Sequence, residues 1–110
     1  MDNYAKAVLK ETLSMHGADA QIDKCIEEMS ELTQALMKYR HAPYKGKQGY
    51  YGEEVAKEMA DVLITLETLK LIFNNELINE TIDYKVKRLD RRNISERSES
   101  WLDEWLSNKN

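Results

Sequence analysis

Glu27-Glu28-Met29-Ser30-Glu31 and Glu58-Met59-Ala60-Asp61 set carboxylates three and four residues apart. On an α-helix such positions lie about 60° and about 40° apart around the axis. Glu28 with Glu31, Glu27 with Glu31, and Glu58 with Asp61 therefore share a face, and each stretch offers a fork of oxygen ligands. Taken alone, either strip is also what a solvated helix face presents. Like charges at this spacing destabilise a helix, and a divalent cation relieves the repulsion. Oxygen donors without accompanying Cys or His suit Mg²⁺ or Mn²⁺ better than Zn²⁺. Mg²⁺ keeps several waters and binds substrate phosphates, which points to phosphoryl or pyrophosphoryl chemistry. The two stretches share an order of acid, Met, small residue, acid, aliphatic, as though one helical turn were used twice.

The sequence Glu27-Glu28-x-x-Glu31, a spacer over residues 32–57, and then Glu58-x-x-Asp61 resembles the signature of the MazG-like, all-α nucleoside triphosphate pyrophosphohydrolases. The resemblance covers roughly residues 14–92. It implies an all-α, four-helix bundle-type fold that forms a homodimer or a dimer of dimers. It also implies that Glu28, Glu31, Glu58 and Asp61 hold Mg²⁺, or Mn²⁺, while Glu27 assists or positions a water. The implied reaction is attack of water on the α-phosphorus of a nucleoside triphosphate, giving the monophosphate and pyrophosphate.

Further positions match the family in part. Gln21 stands where family members carry glutamine, and His16-Gly17 stands in place of the usual Trp-Gly. The resemblance then implies that Gln21 bonds a base edge and His16 stacks on the base; the plain alternative for His16 is an exposed histidine at a helix end. Asp83-Tyr84-Lys85-Val86 takes the place of an Asn-x-Lys-Phe stretch, which implies a phosphate contact for Lys85 and a second for Arg88. The related phosphoribosyl-ATP pyrophosphohydrolase shares the same acidic logic and is the nearest enzymatic alternative. A non-catalytic helical interaction protein is the alternative of a different class.

The 110 residues fit one domain, with a core small enough to gain from self-association. One proline and four glycines, among abundant Leu, Glu, Lys and Ala, favour helix over sheet. A net charge of −4 and a pI near 5.2 give no basic face for nucleic acid. The single Cys25 excludes an internal disulfide, fits a reducing compartment and reads as a packed small hydrophobe. Met1-Asp2-Asn3-Tyr4 opens no export signal and no apolar run spans a bilayer, so a cytoplasmic protein without membrane contact is expected.

These residues need helices to position them. Periodicity predicts a first helix over 3–15, with Tyr4, Ala7, Val8, Thr12 and Met15 inward, ended by Gly17. A second, over 19–41 with Asp19 as cap, carries Ile22, Cys25, Ile26, Met29, Thr33, Leu36 and Met37 as its stripe. Residues 41–52 hold the only proline and three of the four glycines and read as a loop, in which Lys45 and Lys47 either reach a triphosphate or serve solubility. The third helix, 53–74, is apolar nearly all round beyond Val62; its opposed faces call for a second covering surface, most simply another subunit. Asn74-Asn75 reads as a stop before a fourth helix over 76–92. Trp101, Leu102, Trp105 and Leu106 then suggest a short extra C-terminal helix within 95–110.

Overall fold

The computed structural model describes residues 1–42 and 47–108. They form α1 (Asn3–His16), α2 (Ala18–Arg40), α3 (Lys47–Leu69) and α4 (Asn75–Asn108), with no strand among the described residues. No helix among them is long and apolar enough to cross a membrane. The chain divides into two units, Met1–Phe73 and Asn74–Asn110.

Local chemistry sets the helix ends. Asp2 caps α1, its carboxylate accepting from the Ala5 N–H at 2.8 Å. Gly17 closes α1 and opens α2 in one residue, with φ +85° and ψ 166°, and its N–H donates to the Leu13 carbonyl at 2.8 Å. That backbone region is essentially reserved for glycine. Asp19 is therefore not the cap; it lies in the first turn of α2, where its charge complements the helix dipole.

α2 and α3 pack mainly on each other, and α1 touches both. The buried positions of α2 are Cys25, Glu28 and Ala35, and those of α3 include Val62, Thr65 and Thr68. The expected stripe of α2 is only partly inward: Cys25 is buried, as expected of a packed small hydrophobe, and Ile22 is partly covered, but Ile26, Met29, Leu36 and Met37 are exposed. Small Cys25 and Ala35, rather than the larger aliphatics, let the two helices come close. Inside the seam, Thr65 and Thr68 donate their hydroxyls to the carbonyls of Val62 and Ile64 at 2.8 and 3.1 Å, so neither is left unpaired. α1 is rotated in the same sense, with Tyr4, Val8 and Met15 exposed and Leu9 and Leu13 partly covered. Apolar residues on neighbouring strips of one helix leave periodicity unable to choose between them.

Two boundaries differ from expectation. Residues 47–52 belong to α3, so the loop is shorter; helix packing overrides the penalty of about 1 kcal/mol for each glycine in its first turns. Lys45 lies outside the described residues. α3 ends earlier, at Leu69, tightening through Leu71 and Ile72 N–H groups that donate to the Thr68 and Leu69 carbonyls.

In the second unit, Asn74 starts a helix instead of stopping one, its side chain accepting from the Leu77 N–H at 3.0 Å. The separate C-terminal helix is absent as such: α4 runs unbroken to Asn108, because no Gly or Pro interrupts that stretch. Trp101 and Trp105 stack along it with centroids 6.5 Å apart.

Gly17→Ala tests the α1–α2 corner. A Cβ there meets nothing within 4 Å, so the effect is one of backbone alone and should lower the unfolding free energy by about 1–3 kcal/mol. A denaturation curve superposing on that of the wild type would contradict it.

Candidate metal centre and adjoining groove

The acidic residues sit on the α2–α3 seam. Glu28 is 6% exposed, Glu58 is half-buried and Glu31 is exposed at the rim. One carboxylate oxygen from each of the three lies within 4.8 Å of those of the other two. Glu28 Oε2 and Glu58 Oε2 are shut off from solvent and have no hydrogen-bond partner among the described residues. A buried carboxylate oxygen in that condition carries a large desolvation penalty.

Three oxygen donors, two of them orphaned, fit a hard divalent cation. Around Mg²⁺ at about 2.1 Å, ligand oxygens stand no more than about 4.2 Å apart. The spacing of the three carboxylates, within 4.8 Å, is close to that limit.

One cation already belongs to the cluster. Lys24 Nζ lies 2.9 Å from Glu28 Oε1, one turn back along α2. Its pKa is raised, first by that hydrogen bond and then by the charges of Glu27 and Glu28, against a smaller opposing effect of burial. The ammonium takes Oε1 and leaves Oε2 buried without a partner among the described residues. Glu31 holds its proton above the ordinary 4.5, chiefly because of the Glu28 charge, with partial desolvation and the Glu58 charge next.

A groove of about 370 Å³ runs from this cluster along the seam. Glu31 and Glu58 line one part; Gln34, Lys38, Tyr50 and Tyr51 line another. The juxtaposition of Glu28 with Glu58 and of Lys38 with Tyr50 and Tyr51 shows that α2 and α3 run antiparallel. The two tyrosine rings meet edge to face, with centroids 5.3 Å apart at 77°. The volume falls in the range of small-molecule sites, while the lining is more polar and charged than theirs.

The remaining residues singled out by sequence are dispersed. Glu27 and Asp61 are exposed and lie outside the group of three oxygens. Gln21 is partly covered near the start of α2, and His16 is exposed as the last residue of α1. Lys85 and Arg88 are exposed on α4, in the second unit, where Asp83 pairs with Lys87 at 2.9 Å. Lys24, Gln34, Lys38 and the tyrosine pair escaped sequence reasoning. Lys24 was detectable as a basic residue four positions before Glu28, and Lys38 as a residue two turns beyond Glu31 on the same strip.

Compared with known proteins, the chain matches no family model, no curated protein and no solved structure.

Two measurements probe this electrostatic arrangement. Because the folded state raises the Glu31 pKa, the stability it contributes is full below about 4.5 and is lost as pH rises through the raised value. In chelator, Glu31→Gln should therefore gain in melting temperature over the wild type as pH rises from 4.5 to 7; a pH-independent difference would contradict the shift. Lys24→Met should lower the melting temperature in the wild-type background and have little effect beside Glu28→Gln, since the two residues form one pair. Equal effects in both backgrounds would rule that pairing out.

Proposed function

We propose that the chain is a Mg²⁺-dependent nucleoside triphosphate pyrophosphohydrolase of the MazG-like kind. The observation that carries this reading is the convergence of Glu28, Glu31 and Glu58 from two helices, with two buried oxygens left without partners. Phosphate chains bind proteins through such oxygen-held cations, and the groove beside the cluster is of a size for a nucleotide.

In this reading Glu28, Glu31 and Glu58 hold the metal, and Asp61, one turn along α3 from Glu58, joins them through a rotation of its exposed side chain. When bound, Mg²⁺ supplies charge neutralisation of the triphosphate and polarisation of its phosphoryl oxygens. Lys24 keeps Glu28 turned with Oε2 inward. Glu27 orients the attacking water at the edge of the site. The proton released by that water passes to Glu27, the exposed carboxylate beside the cluster that is not among its three ligands. Water attacks the α-phosphorus, the bond to the bridging oxygen breaks, and pyrophosphate leaves with that oxygen.

Self-association belongs to the same proposal. Ile26, Met29, Leu36 and Met37 on α2, and Leu63, Ile64 and Leu71 on or just beyond α3, leave an unusual amount of apolar side chain uncovered in one copy. A homodimer or dimer of dimers covers such surface.

Pyrophosphate release from a panel of nucleoside triphosphates tests the reading. Glu28→Gln and Glu58→Gln should each lower the Mg²⁺-dependent rate by about a hundredfold or more, with the far-ultraviolet circular dichroism unchanged. Millimolar Mg²⁺ should raise the melting temperature of the wild type and not of the variants. Release of orthophosphate instead, full activity in either variant, or turnover of phosphoribosyl-ATP alone would each refute it.

A further inference from the structure

The groove has two chemically unlike ends. The carboxylate cluster occupies one; Gln34, Lys38 and the tyrosine pair occupy the other. Lys38 follows Glu31 by two helical turns, about 10 Å along the axis of α2, so both project from one strip of a single rigid element.

Lys38 is the one lysine among the described residues lining the groove, and like Lys6, Lys10 and Lys85 it is without a carboxylate partner among them. Lys24, Lys57, Lys70 and Lys87 each hold a carboxylate one turn away, whereas Lys38 has no ion pair among the described residues. The side chain of Gln34, one turn before it, makes no hydrogen bond among them either. An ammonium that only donates and an amide that both donates and accepts are thus available together. The edge-to-face tyrosine rings beside them supply an apolar surface.

Charge decides which part of a nucleotide belongs here. Glu54 also lines the groove, paired with Lys57 at a long 3.4 Å. A polyphosphate tail running away from the cluster would pass that carboxylate to gain a single cation. A neutral base meets no such opposition, and with the α-phosphate at the cluster a nucleoside extends along the groove towards Lys38.

Resting on the pyrophosphohydrolase reading above, we infer that Gln34, Lys38 and Tyr50 form the base subsite, with Lys38 Nζ donating to a carbonyl oxygen of the base. A donor without acceptor capacity selects bases that carry a ring carbonyl, such as uracil and guanine. Adenine offers only ring nitrogens as acceptors and is disfavoured. The Gln34 amide adapts to either edge, so Lys38 sets the preference.

The test compares kcat/KM for UTP and ATP, read as Mg²⁺-dependent pyrophosphate release, in the wild type, Lys38→Met and Lys38→Arg. The wild type should favour UTP. Lys38→Met should lower the UTP-to-ATP ratio about tenfold, the scale of one charge-assisted hydrogen bond, and Lys38→Arg should hold it within about twofold. A wild-type preference for ATP, an equal loss on both nucleotides in Lys38→Met, or an unchanged ratio overturns the base subsite and leaves the pyrophosphohydrolase reading standing. Failure of the wild type to release pyrophosphate from either nucleotide overturns both.

Discussion

Two carboxylate oxygens held out of water without a partner, one on Glu28 and one on Glu58, are the constraint around which the first unit is arranged. A seam made only for stability would place aliphatic side chains there, since replacing buried ionic groups by packed hydrophobes is commonly neutral or favourable. Here four large apolar side chains of α2, Ile26, Met29, Leu36 and Met37, are exposed while Glu28 is buried. Local packing has been given up at the position where electrostatic function is concentrated, as in proteins whose sites violate rules the rest of the chain obeys.

The half-exposed Lys24 makes this tolerable. Its ammonium satisfies one oxygen of Glu28 and leaves the other buried without a partner among the described residues. The repulsion that remains is visible as the raised proton affinity of Glu31. A divalent ion at the proposed site and a proton would compete for the same excess negative charge, next to a lysine that already holds one Glu28 oxygen. Preorganisation here means that the carboxylates already repel one another in the orientation a cation would need.

Much of the fold was readable from composition and periodicity. The scarcity of proline and glycine predicts the all-helical class, and α1 and α2 end within a residue or two of where Gly17 and the turn after Arg40 suggest. Helix rotation was not readable. Val8 and Leu9, or Ile22, Cys25 and Ile26, place apolar residues on adjacent strips, and only the partner helix selects one; the small Cys25 and Ala35 win because they permit close approach. α3 begins at Lys47 because tertiary contact outweighs the propensity of Gly49 and Gly52, and α4 continues through polar residues 93–100 because nothing there breaks it. For the site, the spacing of Glu28, Glu31 and Glu58 announced shared faces. That the faces meet each other, and that Lys38 lies beside Tyr50 and Tyr51, depends on the antiparallel pairing of α2 with α3, which no single-helix pattern contains.

Cys25 and Ala35 bracket the acidic layer at intervals of three and seven residues on the buried face of α2, and both act as spacers of minimal volume. Added bulk at either would part the helices before it unravelled them, widening the gap between Glu28 and Glu58 by fractions of an ångström that a six-coordinate ion does not forgive. In the proposed metal-binding reading, neutral drift is therefore narrow at these two chemically inert side chains, and enlarging them would weaken the site before it cost the fold.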